Sequence, residues 1–111
     1  MPELTLTVRM TAKPERGKDL ESALRAVVAP THAEAGCIRY ALHRSVQDEN
    51  VFFMVERWTS KAALEQHLAQ PYLKTMLAML PELVQSSEFG EYEMLVDGVP
   101  NKPLYAQVRE I

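Results

Sequence analysis

Residues 51 to 58, Val-Phe-Phe-Met-Val-Glu-Arg-Trp, constrain this chain more than any other segment. Side chains alternate along a strand, so Phe53 and Val55 point one way while Phe52, Met54 and Trp58 point the other. A strand that is apolar on both sides needs cover on both sides. A chain of 111 residues has few layers to offer. Helices on one face and a second subunit on the other satisfy both demands, because two bare aromatic faces would form an aggregation surface. The sequence therefore predicts a homodimer with either the Phe53 face or the Phe52 face of this strand buried between subunits.

The remaining segments supply the other layers. Leu4, Leu6, Val8 and Met10 alternate with polar residues and predict a half-buried strand over 4–12. Pro14 suits a first helical turn and Glu15 its positive end. Leu20, Leu24, Val27 and Val28 then predict an amphipathic helix over 15–29, which Pro30 either kinks or ends. A second strand is expected over 37–44, with Ile38, Tyr40 and Leu42 on one side, and the polar stretch 46–50 joins it to the 51–58 strand as a hairpin. Ser60 is a candidate N-cap for a helix carrying Ala63, Leu64, His67 and Leu68 on one stripe. Pro71 interrupts that helix, and the periodicity resumes to Pro81. A fourth strand is expected over 88–96, which completes the order β-α-β-β-α-β of an α+β, ferredoxin-like sandwich. Residues 1–96 form the expected domain, and 97–111 an extension whose alternating Leu104, Ala106 and Val108 suit pairing along a sheet edge.

Several chemistries lack the residues they need. A net charge of −3 offers no basic field for nucleic acid. One cysteine, Cys37, favours a reducing compartment, and no signal-like or membrane-spanning apolar run is present, so a soluble cytoplasmic protein is expected. His32, His43 and His67 show no metal-ligand spacing, and the four glycines never cluster into a phosphate or dinucleotide loop. His67 is the sharpest candidate: its stripe faces the sheet, and an imidazole titrating near neutrality can take a proton from a phenol or enol. Packing in a satisfied, half-buried position is the competing role. Trp58 could position a polar ligand through its N–H while its ring stacks on it, or could be a strand-end core plate. Glu56, beside it on the same face, could pair with an arginine of the neighbouring strand. Cys37 reads as a small buried hydrophobe.

Three stretches carry a wider resemblance: Ala12-Lys-Pro-Glu-Arg-Gly17, Glu34-Ala-Gly-Cys-Ile-Arg-Tyr40, and Glu56-Arg-Trp-Thr-Ser60 followed by Ala63-Leu-Glu-Gln-His-Leu68 and Gln70-Pro-Tyr72. Together they resemble the antibiotic biosynthesis monooxygenase, or quinol monooxygenase-like, family of the dimeric α+β barrel superfamily. The resemblance implies a homodimer with two four-stranded sheets face to face and a cavity between sheet and helices in each subunit. It implies oxidation of a quinol or polyphenolic substrate by O2 without a bound cofactor. Trp58 and His67 then fall at cavity-lining, catalytic positions, and Tyr72 near the mouth. Phe52, Met54 and Met76 join Tyr72 as expected substrate contacts. Haem-degrading relatives match only at Trp58, since Thr7 and Leu77 stand where those proteins carry asparagine and histidine. An isomerase of a small enolisable sugar phosphate, with His67 moving the proton, would need a basic pocket. A non-catalytic binding or structural dimer would need the cavity closed, with methionines such as Met54 and Met76 filling it.

Overall fold

The structure, a computed structural model, describes residues 2–98. Among them the elements run β1 (Leu4–Ala12), α1 (Gly17–Ala26), α2 (Val28–His32), β2 (Cys37–Arg44), β3 (Val51–Trp58), α3 (Lys61–Leu68), α4 (Pro71–Leu83) and β4 (Val84–Tyr92). The strands form one sheet in the order β2-β3-β1-β4, and every neighbouring pair is antiparallel. This is the expected β-α-β-β-α-β topology. The edge-pairing strand expected after residue 97 lies outside the described residues.

Three segments differ from expectation. The helix predicted over 15–29 is two helices, because the Pro30 ring crowds the carbonyl of Ala26 and cannot donate to it. The break falls at Val27, and α2 carries the chain on through Pro30 to His32. In β2 the register shifts between Cys37 and Arg39, so Cys37 lies opposite Trp58 while Arg39 lies opposite Arg57. That bulge turns Ile38 out of the row formed by Tyr40 and Leu42. Finally, β4 starts directly at the end of α4 and occupies 84–92 rather than 88–96. It pairs along β1 from Ala12 back to Thr5, a register that uses its polar residues and leaves Leu95 and Val96 exposed.

The starts of α3 and α4 follow the sequence, whereas α1 begins at Gly17 because Pro14 and Glu15 lie in the turn before it, Glu15 with a φ of 65° that no helix accommodates. Ser60 Oγ accepts from the Ala63 N–H at 3.1 Å, capping α3. Pro71 opens α4, where its absent N–H has no partner to lose. Gly36 is required for a different reason. A Cβ there would sit 2.4 Å from the Ala63 Cβ, so only glycine lets the 33–36 turn press against α3. The Thr59 N–H donates to the Gly36 carbonyl at 2.9 Å and locks that approach.

The core fills one side of the sheet. Val8, Met10, Phe52, Met54, Tyr40 and Trp58 meet Leu20, Leu24, Leu64, Leu73, Met76 and Leu83 from the helices. On β3 the helices cover the Phe52 face: Phe52 is 3% exposed and Phe53 37%. The other side of the sheet, with Thr7, Arg9, Ala41, His43, Phe53 and Val55, has no layer over it among the described residues. No helix among them is long and apolar enough to cross a membrane.

Candidate active site

Between the covered sheet face and helices α3 and α4 lies a cavity of about 90 Å3. Val8, Phe52 and Met54 form its floor, and Leu73, Met76 and Leu80 its roof. Leu68, Leu77 and Phe89, all partly exposed, stand in its wall toward solvent. Three polar side chains enter the wall: Tyr40, Glu56 and His67. Among the described residues it contains no Lys or Arg. The space is small beside the roughly 300–1,000 Å3 of sites that take larger ligands.

His67 is 2% exposed and is brought here by α3, whose cap and close approach to Gly36 fix its depth. Its Nδ1 lies 2.9 Å from Glu34 Oε2, on the turn after α2. An ionised carboxylate can only accept, so Glu34 places the proton on Nδ1 and leaves Nε2 as the basic nitrogen. The Tyr72 hydroxyl donates to the same Glu34 oxygen, and Thr31 Oγ1, fully buried, lies 3.4 Å from that hydroxyl. Burial is the main cause that holds the Tyr72 phenol above its ordinary range, with the Glu34 bond next. Two rings fix the plane of the imidazole: Trp58 at 4.6 Å between centroids, tilted 36°, and Tyr40 edge-on at 5.6 Å. The Tyr40 phenol is pushed far above its usual value, chiefly by burial and then by the Glu56 charge. His67 is thus oriented on three sides before any ligand arrives.

Glu56 is 4% exposed on the same sheet face. Its Oε1 accepts from the Trp58 indole N–H at 2.9 Å. Burial pushes its carboxyl up to about 7, against the lowering effect of that bond, and the Glu34 charge adds to the rise. Among the described residues no arginine pairs with it: the neighbouring cross-strand residue is Tyr40, and Arg39 and Arg57 lie on the opposite face. Arg57 is engaged there by Glu3 at 2.8 Å.

Of the residues singled out from the sequence, His67, Phe52, Met54 and Met76 line the cavity. Trp58 does not. It is fully buried behind the wall, with its N–H taken by Glu56 and its ring against His67. Tyr72 also stands outside the wall. Its ring faces a surface groove between α1 and α4, and its hydroxyl serves Glu34. His43 is exposed on the open sheet face, with Nδ1 3.1 Å from the Phe53 carbonyl, and His32 is exposed at the end of α2. Burial pushes the Cys37 thiol up to about 11, far from nucleophilic reactivity. No three His, Cys, Asp or Glu side chains among the described residues cluster to hold a metal.

Glu34, Tyr40 and Thr31 were not recognisable as site residues from sequence. Glu34 is 33 residues from His67, and no local spacing joins them. Glu56 did leave a signal, a carboxylate on the buried face of an apolar strand, where an unpaired charge is costly.

Comparison with known proteins places this geometry. The sequence profile of the antibiotic biosynthesis monooxygenase family matches residues 4–79. The solved structure of PA3566 from Pseudomonas aeruginosa is 36% identical and superposes with a TM-score of 0.83 over 86% of this chain and 97% of that one. Rv0793 of Mycobacterium tuberculosis, named "Putative monooxygenase Rv0793", is 31% identical over 81 residues, 73% of this chain and 79% of its own length. Its solved structure superposes with a TM-score of 0.82, over 87% of this chain and 99% of that one. The protein sll1783 of Synechocystis is 28% identical over 72 residues, 65% of this chain but only about half (49%) of its own length. The profile match alone spans most of the described fold and includes β3, α3 and His67: the chain belongs to the antibiotic biosynthesis monooxygenase family.

Proposed function

We propose that the protein is a cofactor-independent monooxygenase of a small quinol or phenol, working as a homodimer. Membership of the family supports a monooxygenase-like oxidoreductase role. The observation that carries the finer reading is the Glu34–His67 pair set in the wall of an otherwise apolar cavity. His67 Nε2 takes the proton of a substrate hydroxyl, and Glu34 stabilises the imidazolium that results. The phenolate is electron-rich and donates to O2. One oxygen atom enters the ring, the other leaves as water, and the four electrons come from the substrate, so that hydroquinone and O2 give hydroxyquinone and water. The apolar walls keep bulk water from the anion and from partly reduced oxygen.

Among the described residues the wall carries no Lys or Arg, whereas a sugar-phosphate isomerase must hold a dianion. A non-catalytic binding role has one observation in its favour: His67 is hydrogen-bonded and nearly shut off, and Met54 and Met76 both press into a small cavity. Oxygen uptake separates the two. With a panel of hydroquinones, the His67→Ala variant is expected to lose about 10²- to 10⁴-fold in kcat. Uptake that is unchanged in that variant removes His67 from the mechanism, and no uptake by the wild type with any member of the panel favours the binding role.

A further inference from the structure

The imidazole accounts for one polar group of the cavity and leaves another without a task. Glu56 enters from β3, on the sheet side, and His67 from α3, on the helix side. Both touch Trp58, one through the 2.9 Å bond to its N–H and the other through ring contact at 4.6 Å. A single fully buried indole therefore fixes how far apart they stand. Trp58 is the only hydrogen-bond partner of the Glu56 carboxyl among the described residues, and it uses Oε1. Glu56 lines the cavity, and its other oxygen has no hydrogen-bond partner among the described residues.

We infer that Glu56 is a substrate-binding residue that donates a hydrogen bond to a second oxygen of the ligand. The cavity then selects a single-ring aromatic with one ionisable hydroxyl for His67 and one carbonyl or hydroxyl oxygen for Glu56. The inference rests on the proposed role of His67 only for the place of the first hydroxyl. To donate, Glu56 must be protonated, and its surroundings favour that form. Among the described residues the titratable groups that face it are Tyr40 from β2, Cys37 at the start of β2, Glu34 from the turn before it and His67 from α3. No Lys or Arg is among them, burial disfavours the anion, and its carboxyl is accordingly raised to about 7. Size supports the ring count. The cavity, at about 90 Å3, is smaller than the roughly 150 Å3 apolar cavity that accepts benzene. One ring fits only as Met54 and Met76 give way, which their flexible side chains allow.

The test is anaerobic calorimetric titration of the full chain with 4-hydroxyacetophenone and with 4-ethylphenol, which match in size but differ in the acceptor oxygen. Wild type at a pH of about 6 should bind the ketone roughly tenfold more tightly than the ethyl compound, and this preference should fall to about twofold or less at a pH of about 8. Glu56→Gln keeps an acceptor for Trp58 and donates at every pH, so it should hold the preference at both. Glu56→Leu should lose it at both. Equal affinities in wild type at the lower pH, the same pH dependence in wild type and Glu56→Gln, or no binding of either phenol would overturn the inference. Turnover plays no part in this measurement. Loss of the preference with oxygen uptake intact would overturn the role of Glu56 alone. Preference retained without uptake of oxygen would overturn the oxygenase reading alone.

Discussion

The two faces of β3 share one backbone and differ in everything else. Phe52, Met54, Glu56 and Trp58 lie under helices, each no more than 5% exposed, whereas Phe53, Val55 and Arg57 face outward from the sheet. The contrast is sharpest in adjacent residues. Glu56 and Arg57 are both charged types in the same strand. The carboxyl is desolvated and pushed toward neutrality, while the guanidinium is held in its charged form by Glu3. What a strand residue can do chemically is therefore decided by the layer above it. The covered face lines the cavity, and the bare face has no layer over it among the described residues.

Substitution of the adjacent phenylalanines tests this division most strongly. Phe52→Ala should cost about 3–5 kcal/mol of unfolding free energy, because it empties a core position. Phe53→Ala should leave the unfolding of an isolated subunit much less affected. It should instead weaken self-association, so that sedimentation at micromolar concentration shows more of the 12.6 kDa species. Wild type that sediments only as that species would break the comparison, since the Phe53 face would then be a free surface. Equal losses of stability in the two variants would also break it.

The next effect comes from Glu56. Its carboxyl lies at about 7 in the folded chain against an ordinary 4.5. Between those values the folded state binds the proton more tightly than the unfolded state. The stability this confers is full below a pH of about 4.5 and is lost as pH rises through about 7, a decline of about 3 kcal/mol. Glu56→Gln cannot titrate. Urea unfolding across that range should show the difference between wild type and Glu56→Gln falling by this amount, with the variant the relatively more stable at high pH. Parallel curves would mean that Glu56 ionises as if hydrated.

These contrasts also show what a sequence reader can and cannot see. Alternation identified β1 and β3 to the residue and separated Phe52 from Phe53, because period-two burial is written directly in residue type. It did not say which face the helices take, since both are apolar. β4 was displaced by four residues because its inner row carries Ser87, Phe89 and Glu91, and a single aromatic makes no period. His67 was legible from its stripe. Its partner was not, because Glu34 reaches it only through the turn that Gly36 permits. Trp58 was legible as an inward residue but not by depth: alternation gives a side, and only packing against His67 and Glu56 shows that the indole stands behind the cavity.

The smallest effect belongs to the bare face. Arg57 reaches Glu3 at 2.8 Å and Asp97 at 3.9 Å, on side chains that water can reach. An ion pair of this kind gains little after screening and side-chain ordering. Glu3→Gln should therefore leave the urea midpoint within error of wild type, and raising the salt should not widen the difference. The same substitution has a second reading in the associated protein. Arg57 Nε is buried and without a hydrogen-bond partner among the described residues, so a surface that packs on this face would cover the two terminal nitrogens that reach Glu3 and Asp97. A Glu3→Gln variant whose urea midpoint falls further below wild type as protein concentration rises would show that the pair is sealed on association. In that case the contrast between the two faces of β3 holds for the single subunit and is erased in the dimer.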